Sequence, residues 1–261
     1  MPIHCPFETI RPTQVEFRNI AFEVMNCVYA IHNEFGRFFD EAVYKRELSY
    51  RMPGIELELP VTVSHDSFWK VYRLDILACQ RGLFEFKAVE SIAPRHRSQT
   101  INYLFLFDLP HGKIINVRPE RVVSEFVNCY RRLALLKNPV SYTTGFQSSS
   151  PGGAFFYERI MSLLHDWGTG LETVLYEEAL TSFLGGEERV IQPVPVFGTN
   201  GHLYDQRMQL LAPDIAFKLT AFANRWEKFE VHAQRLLQHT TLKAIQWANI
   251  THGHVTFKTI R

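Results

Sequence analysis

The spacing of apolar residues predicts a series of helices and strands in the first half of the chain. In residues 16–34 apolar side chains such as Phe17, Ala21 and Val24 recur every three or four positions, as on one face of a helix. Residues 55–64 (IELELPVTVS) alternate apolar and polar side chains, which is typical of a strand with one buried face. The same reasoning predicts helices over about 38–50 and 94–107, and strands over 69–78, 82–88 and the run KIINV (113–117).

These elements predict an α/β fold, a small mixed sheet flanked by helices. Two helices come first, three strands follow, and a helix precedes the last strand. Gly82, in the run CQRG, suits the turn between the second and third strands. One more helix is predicted at 120–136, without a counterpart later in the chain.

The chain contains an internal similarity whose order is kept while its offset grows. GRFFDEAVYKREL (36–48) resembles GTGLETVLYEEAL (168–180) at an offset of 132, with matching Gly, Tyr and Leu positions. Residues 59–78 resemble 193–212 at an offset of 134, and HGKIINV (111–117) resembles HGHVTFK (252–258) at an offset of 141. This pattern is typical of a duplicated domain.

The duplication predicts two tandem domains. They are residues 1–137 and 156–261, joined by a linker at 138–155 that is rich in Ser, Gly, Thr and Pro. The alternative is two unrelated α+β domains with chance matches.

The composition is that of a globular protein. The 261 residues are 46% hydrophobic and 21% charged, with a formal net charge of +1, so any nucleic-acid contact depends on a local basic patch. The four cysteines form no CxxC pair, which argues against a zinc site or disulfide framework and predicts a cytoplasmic protein. We expect neither a secretory signal nor a membrane span. A candidate basic patch consists of Lys113, Arg118, Arg121, Arg131, Arg132 and Lys137. A solvated helix face explains these residues equally well.

Two acids and a lysine stand out on the adjacent strands. In a hairpin Asp75 can face Glu85, and converging carboxylates favour Mg²⁺ or Mn²⁺, with the Phe86 carbonyl as a third oxygen. Glu85 and Lys87 are two residues apart and share a face, so an ammonium group would lie beside the ion. An exposed strand with a Glu–Lys pair is the alternative.

In the next helix Gln99 lies one turn before Tyr103, so both lie on one face of the helix. Just upstream, Arg95, His96 and Arg97 are able to contact phosphates.

Taken together, these motifs resemble the GxxExxY family of the PD-(D/E)XK nuclease superfamily over about residues 18–120. FGRFFDEAVYKREL resembles the naming motif, with Gly36, Glu41 and Tyr44 in place. YRLDILA resembles the metal-binding strand, LFEFKAVE the Glu-x-Lys strand, and QTINYL the Gln-x3-Tyr motif. Leu74 stands where a proline is usual, and Phe38 where the family often has a glycine.

The resemblance implies a restriction-endonuclease-like core that hydrolyses nucleic acid with Mg²⁺ or Mn²⁺. It implies Asp75 and Glu85 as metal ligands, Lys87 beside the attacking water, and Glu41 as a further ligand or hydrogen-bonding partner. Gln99 and Tyr103 would support the site or substrate. His32 would be a metal ligand, or else a helix-capping or packing residue. We expect Arg95, Arg97 and Tyr44 to contact the nucleic acid, DNA in preference to RNA.

The second copy lacks these residues. The sequence offsets place Gln209, Leu219 and Ala221 opposite the Asp, Glu and Lys of the first copy, and Thr173 opposite the upstream Glu. The Gln-x3-Tyr positions fall on Thr240 and Ala244. We therefore expect a pseudo-nuclease domain, a pseudo-dimer within one chain.

Three functional interpretations follow. The first copy is a metal-dependent nuclease, with the second copy for structure or substrate positioning. Alternatively, both copies bind nucleic acid or protein without catalysis. In a third interpretation, the chain is a subunit of a larger assembly that docks a protein partner through the second copy.

Overall fold

The computed structural model describes residues 2–224 and 226–261, and they form two compact units. The first unit comprises residues up to Ser64 together with Trp69–Leu133. The second comprises His65–Phe68 and Ala134–Arg261. Each unit contains a six-stranded mixed sheet and its own helices.

The first unit forms a sheet in the order β1-β2-β3-β4-β5-β6. Its helices are α1 (Gln14–Phe35), α2 (Glu41–Arg51) and α3 (Pro94–Leu106). Its strands are β1 (Ile3–His4), β2 (Ile55–His65), β3 (Phe68–Ala78), β4 (Gly82–Lys87), β5 (His111–Asn116) and β6 (Val123–Asn128). Strands β4 and β5 run parallel and are connected through α3, whereas β3 pairs with β4, and β5 with β6, in antiparallel fashion.

Helix α1 covers one face of this sheet. It begins at a capping box, in which Thr13 Oγ1 accepts from the Glu16 amide at 3.2 Å and the Glu16 carboxylate accepts from the Thr13 amide at 2.7 Å. Its buried side chains, including Phe17, pack against Phe84 and Phe86 of β4. Strand β4 therefore packs under the helix, and its alternate residues face the other side of the sheet.

The second unit forms a sheet in the order β7-β12-β11-β10-β9-β8. Its helices are α4 (Gly153–Trp167), α5 (Thr173–Phe183), α6 (Glu187–Val190) and α7 (Trp226–Gln238). Its strands are β7 (Val140–Tyr142), β8 (Ile191–Gly198), β9 (Gly201–Ala212), β10 (Ile215–Thr220), β11 (Ala244–Thr251) and β12 (His254–Ile260). Strands β10 and β11 run parallel and are connected through α7.

The predicted fold class is confirmed. Across the described residues there are two six-stranded mixed sheets and seven α-helices, which is consistent with two tandem restriction-endonuclease-like domains. In the first unit every helix and strand predicted before residue 118 is present within a few residues. The segment 138–155, predicted as a linker, contains β7 and the start of α4.

The helix predicted at 120–136 is wrong. Strand β6 and a short 3-10 turn at Leu133–Leu135 occupy this segment instead. Strand β6 lies at the edge of its sheet and buries only Val127, so the alternation that marks a strand is faint in the sequence. The second sheet also has an antiparallel strand after its parallel pair, namely β12, so it does not lack a counterpart.

The sequence match between 111–117 and 252–258 is also wrong. Strand β5 pairs parallel with β4, but the strand that pairs parallel with β10 is β11, whereas 252–258 form a turn and the start of β12. Thr240 and Ala244 therefore do not correspond to Gln99 and Tyr103, because α7 takes the place of α3.

Among residues 2–224 and 226–261, no helix combines the length and the apolar character needed to cross a bilayer.

Candidate metal centre in the first unit

Asp75 lies near the end of β3, beside the central strand β4. Its Oδ2 accepts a hydrogen bond from the Phe86 amide at 2.9 Å, and its Oδ1 accepts one from Lys45 Nζ at 2.8 Å. The antiparallel register of β3 and β4, which pairs Ile76 with Phe84, places Asp75 next to the position of Glu85. The two acids are therefore brought to adjacent strands, as predicted from their spacing.

Glu85 is a buried carboxylate with one oxygen unpaired. The residue is only 1% exposed, and its Oε1 accepts from Lys87 Nζ at 2.6 Å. Its Oε2 is buried without a hydrogen-bond partner. Burial and the nearby charge of Asp75 raise the pKa of Glu85 to about 7, against the opposing effect of Lys87. The predicted shared face of Glu85 and Lys87 is confirmed by their hydrogen bond.

Glu41 begins α2 and reaches the same end of β4. Its Oε2 accepts from the Ala88 amide at 3.1 Å. Burial raises the pKa of Glu41, with Lys87 and Lys45 acting in the opposite direction and Asp75 adding to the rise. Glu41 thus belongs to the same electrostatic cluster as the two strand acids.

Sequence reasoning missed two members of this cluster, Lys45 and Glu58. Lys45 is 8% exposed, and its ammonium group donates to both Asp75 and Glu58. Burial alone would lower the pKa of Lys45, but these hydrogen bonds outweigh it and raise the pKa above its usual range. The available sequence indication was that Lys45 lies one turn after Glu41, on the same face of α2. Nothing local indicated Glu58, whose backbone lies in the left-handed region with φ of 53°.

The donor set fits a divalent cation. Among the described residues no three His, Cys, Asp or Glu side chains are already grouped so as to hold a metal ion. The unpaired, buried Oε2 of Glu85 nevertheless lacks the partner that a buried charged oxygen requires. Carboxylate oxygens are the ligands that Mg²⁺ and Mn²⁺ prefer, so Asp75 and Glu85, with Glu41 nearby, would suit such an ion.

Helix α3 carries the Gln-x3-Tyr pair and the predicted phosphate contacts. Gln99 Nε2 donates to the Tyr103 hydroxyl at 3.3 Å, so these two residues do meet. Arg95 Nε donates to His96 Nε2 at 3.2 Å. Arg97 is held in a bidentate pair with Glu125 of β6, with distances of 2.7 and 2.8 Å. A nucleic-acid contact from Arg97 would therefore compete with that pair.

Three expectations about individual residues need correction or refinement. Tyr44 is 1% exposed and its hydroxyl donates to the Gly36 carbonyl at 2.7 Å, so it packs in the core, which argues against the expected contact with nucleic acid. Lys113 is buried with Nζ 3.6 Å from the centre of the Phe126 ring, which removes it from the basic patch. His32 is buried with Nε2 3.1 Å from the Val117 carbonyl, as expected of a packing residue.

Two hydrogen-bond arrangements in the first unit recur in the second. Asn116 Oδ1 accepts from the Val89 amide and its Nδ2 donates to the Val89 carbonyl, while Asn249 makes the same two bonds with Phe222. The Tyr176 hydroxyl donates to the Gly168 carbonyl at 2.5 Å, as Tyr44 does to Gly36.

The second unit has a different set of charges at this end of its sheet. Lys218 of β10 donates to Glu177 of α5 at 2.9 Å, and the Leu219 amide donates to the same carboxylate at 3.3 Å. Gln209 of β9 is neutral. These residues form one Lys–Glu ion pair and offer no cluster of acids.

Comparison with known proteins supports a nuclease-like function. Residues 18–128 match the family model of the PD-(D/E)XK nuclease superfamily. This region contains the acids and lysines of the candidate metal centre, from Glu41 to Lys87. No curated protein matches the chain.

One similar solved structure is described as "Crystal structure of SSO0001". Its alignment is 22% identical, covers 44% of this chain and 58% of that chain, and has a TM-score of 0.26. The chain therefore spans less than two thirds of that protein, and the likeness carries no further conclusion.

Proposed function

We propose that the first unit is a Mg²⁺- or Mn²⁺-dependent nuclease that hydrolyses phosphodiester bonds of nucleic acid, DNA in preference to RNA. The observation that carries this proposal is the buried, unpaired Oε2 of Glu85, beside Asp75 and Lys87. The segment that holds these residues matches a nuclease superfamily, which supports the same reaction class.

Each residue takes a role that its surroundings support. Asp75 and Glu85 would hold the ion, with the Phe86 carbonyl as a third oxygen and Glu41 as a further ligand or hydrogen-bonding partner. A bound divalent ion supplies a Lewis acid that polarises the phosphate and lowers the pKa of a bound water.

The lysine and the helix residues act on the substrate side. Lys87 lies on the face of Glu85 and is mostly buried, so its ammonium group interacts strongly with negative charge near the site. It would orient the attacking water and stabilise the charge that develops on the phosphate. Gln99 and Tyr103, which are hydrogen-bonded to each other, would support the site, and Arg95 would contact a phosphate.

We further propose that the second unit is a duplicated, degenerate copy. The shared order of helices and strands, and the matching bonds of Asn116 and Asn249, support this. These asparagines are 133 residues apart, an offset that places Lys218 opposite Glu85 and Thr220 opposite Lys87. The sequence offset of 134 missed this by one residue because the turn before β10 is one residue shorter than the turn before β4. A lysine in place of the central acid explains why this copy would serve structure, substrate positioning or partner docking.

One observation favours a second candidate function, a non-catalytic subunit that binds nucleic acid or protein. Lys45 forms an ion pair with Asp75, and Lys87 forms one with Glu85, so both of these acids have a cationic partner. A retained fold without catalysis would tolerate such an arrangement.

A cleavage assay separates the two functions. Wild type would be incubated with Mn²⁺ or Mg²⁺ and single-stranded DNA, double-stranded DNA or RNA, alongside Asp75→Asn, Glu85→Gln and Lys87→Met. The matched control is Lys218→Met, which removes an ion-paired lysine from the second unit. We expect cleavage by wild type and the control and a loss of at least about a hundredfold in the other three. Absence of wild-type cleavage on every substrate, or equal cleavage by all five proteins, would overturn the enzymatic proposal.

A further inference from the structure

The net charge of the side chains around the candidate metal centre matches in magnitude that of one divalent ion. Four carboxylates meet there, those of Glu41, Glu58, Asp75 and Glu85, and two ammonium groups lie among them. When all are ionised, the cluster carries two uncompensated negative charges. One divalent ion neutralises that excess, whereas a second would give the cluster a net positive charge.

Lys45 carries one of these two ammonium groups, and its charge reduces the negative excess of the cluster. It is buried, it projects from α2, and it bridges Asp75 of β3 and Glu58 of β2. A buried ammonium group needs such partners, because an uncompensated charge is costly to remove from water. Lys45 is thus fixed at one oxygen of Asp75, while Oε2 of Glu85 is unpaired.

The backbone of Glu58 is adapted to this contact. Within β2 this residue has φ of 53°, a left-handed conformation that non-glycine residues rarely adopt. Such local irregularities redirect side chains and cluster near functional sites. Here the carboxylate of Glu58 accepts a hydrogen bond from Lys45.

We propose that Lys45 is a positioning residue that supplies, as part of the protein, the positive charge a second metal ion would otherwise supply, so that the first unit binds one divalent ion rather than two. The inference rests on the proposed metal site. It adds the number of ions and the residue that sets that number.

The test counts bound Mn²⁺ by electron paramagnetic resonance of the free ion during titration of the full chain. We expect one ion for wild type. For Lys45→Met, which keeps the side-chain length and removes the charge, we expect two ions, with the first bound at least about tenfold more tightly. A unit charge within a few ångströms of a divalent ion changes its affinity by that factor even in a water-like dielectric.

Two further variants make the result specific. Lys45→Arg keeps the positive charge and should stay at one ion. Lys218→Met removes the ion-paired lysine of the second unit and should also leave one ion. If Lys45→Met does not fold, Lys45→Gln takes its place, since a glutamine amide is still able to donate to Asp75, and the same second ion is expected.

The outcomes separate this inference from the proposed function. Two ions in wild type, or one ion in the neutral Lys45 variants at wild-type affinity, would overturn the role of Lys45 while leaving a metal-dependent nuclease intact. No Mn²⁺ bound by wild type or by any Lys45 variant would overturn the metal site itself, and both proposals with it.

Discussion

The buried carboxylate of Glu85 makes the stability of the metal-free chain depend on pH. Its pKa is raised from the ordinary 4.5 to about 7, chiefly by burial. Because the folded state holds this proton more tightly than the unfolded state does, the contribution of Glu85 to the free energy of unfolding is largest below about pH 4.5. It falls as the pH rises towards 7, where the folded carboxyl ionises.

The size of the effect follows from the two pKa values. A difference of about 2.5 units corresponds to about 3 kcal/mol of unfolding free energy lost between about pH 4 and pH 8. Glu85→Gln has no such proton to lose. Its amide oxygen is still able to accept from Lys87, but its NH₂ group lacks a partner, which costs about 1 kcal/mol. The variant should therefore be about 2 kcal/mol more stable than wild type at about pH 8, and about 1 kcal/mol less stable at about pH 4.

Denaturant unfolding at a series of pH values in the presence of a chelator measures this difference directly. Added Mn²⁺ should reverse the order at about pH 8, since the ion binds the ionised wild type and stabilises it. A difference between the two proteins that does not change with pH would refute a buried, proton-holding Glu85. Greater stability of wild type at about pH 8 without metal would do the same.

Three further predictions concern neighbouring residues. Asn116→Ala should lower the free energy of unfolding by about 2–3 kcal/mol, because it leaves the backbone amide and carbonyl of Val89 without their partners. Asn249→Ala should do the same for Phe222 in the second unit, and stability equal to wild type in denaturant melts would contradict this. Tyr44→Phe should cost about 1 kcal/mol of stability and leave nucleic-acid affinity unchanged, since its hydroxyl bonds within the core; weaker binding in a fluorescence titration would restore the rejected contact. Arg95→Ala should reduce the salt dependence of nucleic-acid binding by about one phosphate contact, whereas Lys113→Met should not, and equal slopes for the two would count against the contact at Arg95.

Much of the first unit follows from its sequence because its elements have strong local patterns. The helical spacing from Phe17 onwards and the alternation in IELELPVTVS predicted α1 and β2 within a few residues. Strand β6 was mistaken for a helix because an edge strand that buries one side chain leaves little alternation to detect. The parallel strand β11 was missed for a related reason, since a buried parallel strand has no polar face to mark its period.

Some contacts of the candidate site were predictable from the sequence and others were not. The Glu85–Lys87 pair was predictable because residues two apart on a strand share a face. The contact of Lys45 with Glu58 was not, because it joins α2 to β2 across 13 residues and depends on an unusual backbone conformation. The burial of Tyr44 was likewise hidden. Its motif suggested function, while its hydroxyl instead bonds to the glycine that ends α1.

Anomalous diffraction from crystals grown with Mn²⁺ would locate the metal ion in the first unit. We predict one strong peak there, within coordination distance of Asp75 and of Oε2 of Glu85, and no peak beside Gln209 and Lys218 in the second unit. A first unit without a peak at saturating Mn²⁺, or with its peak away from Glu85, would show that these two acids do not form a metal site.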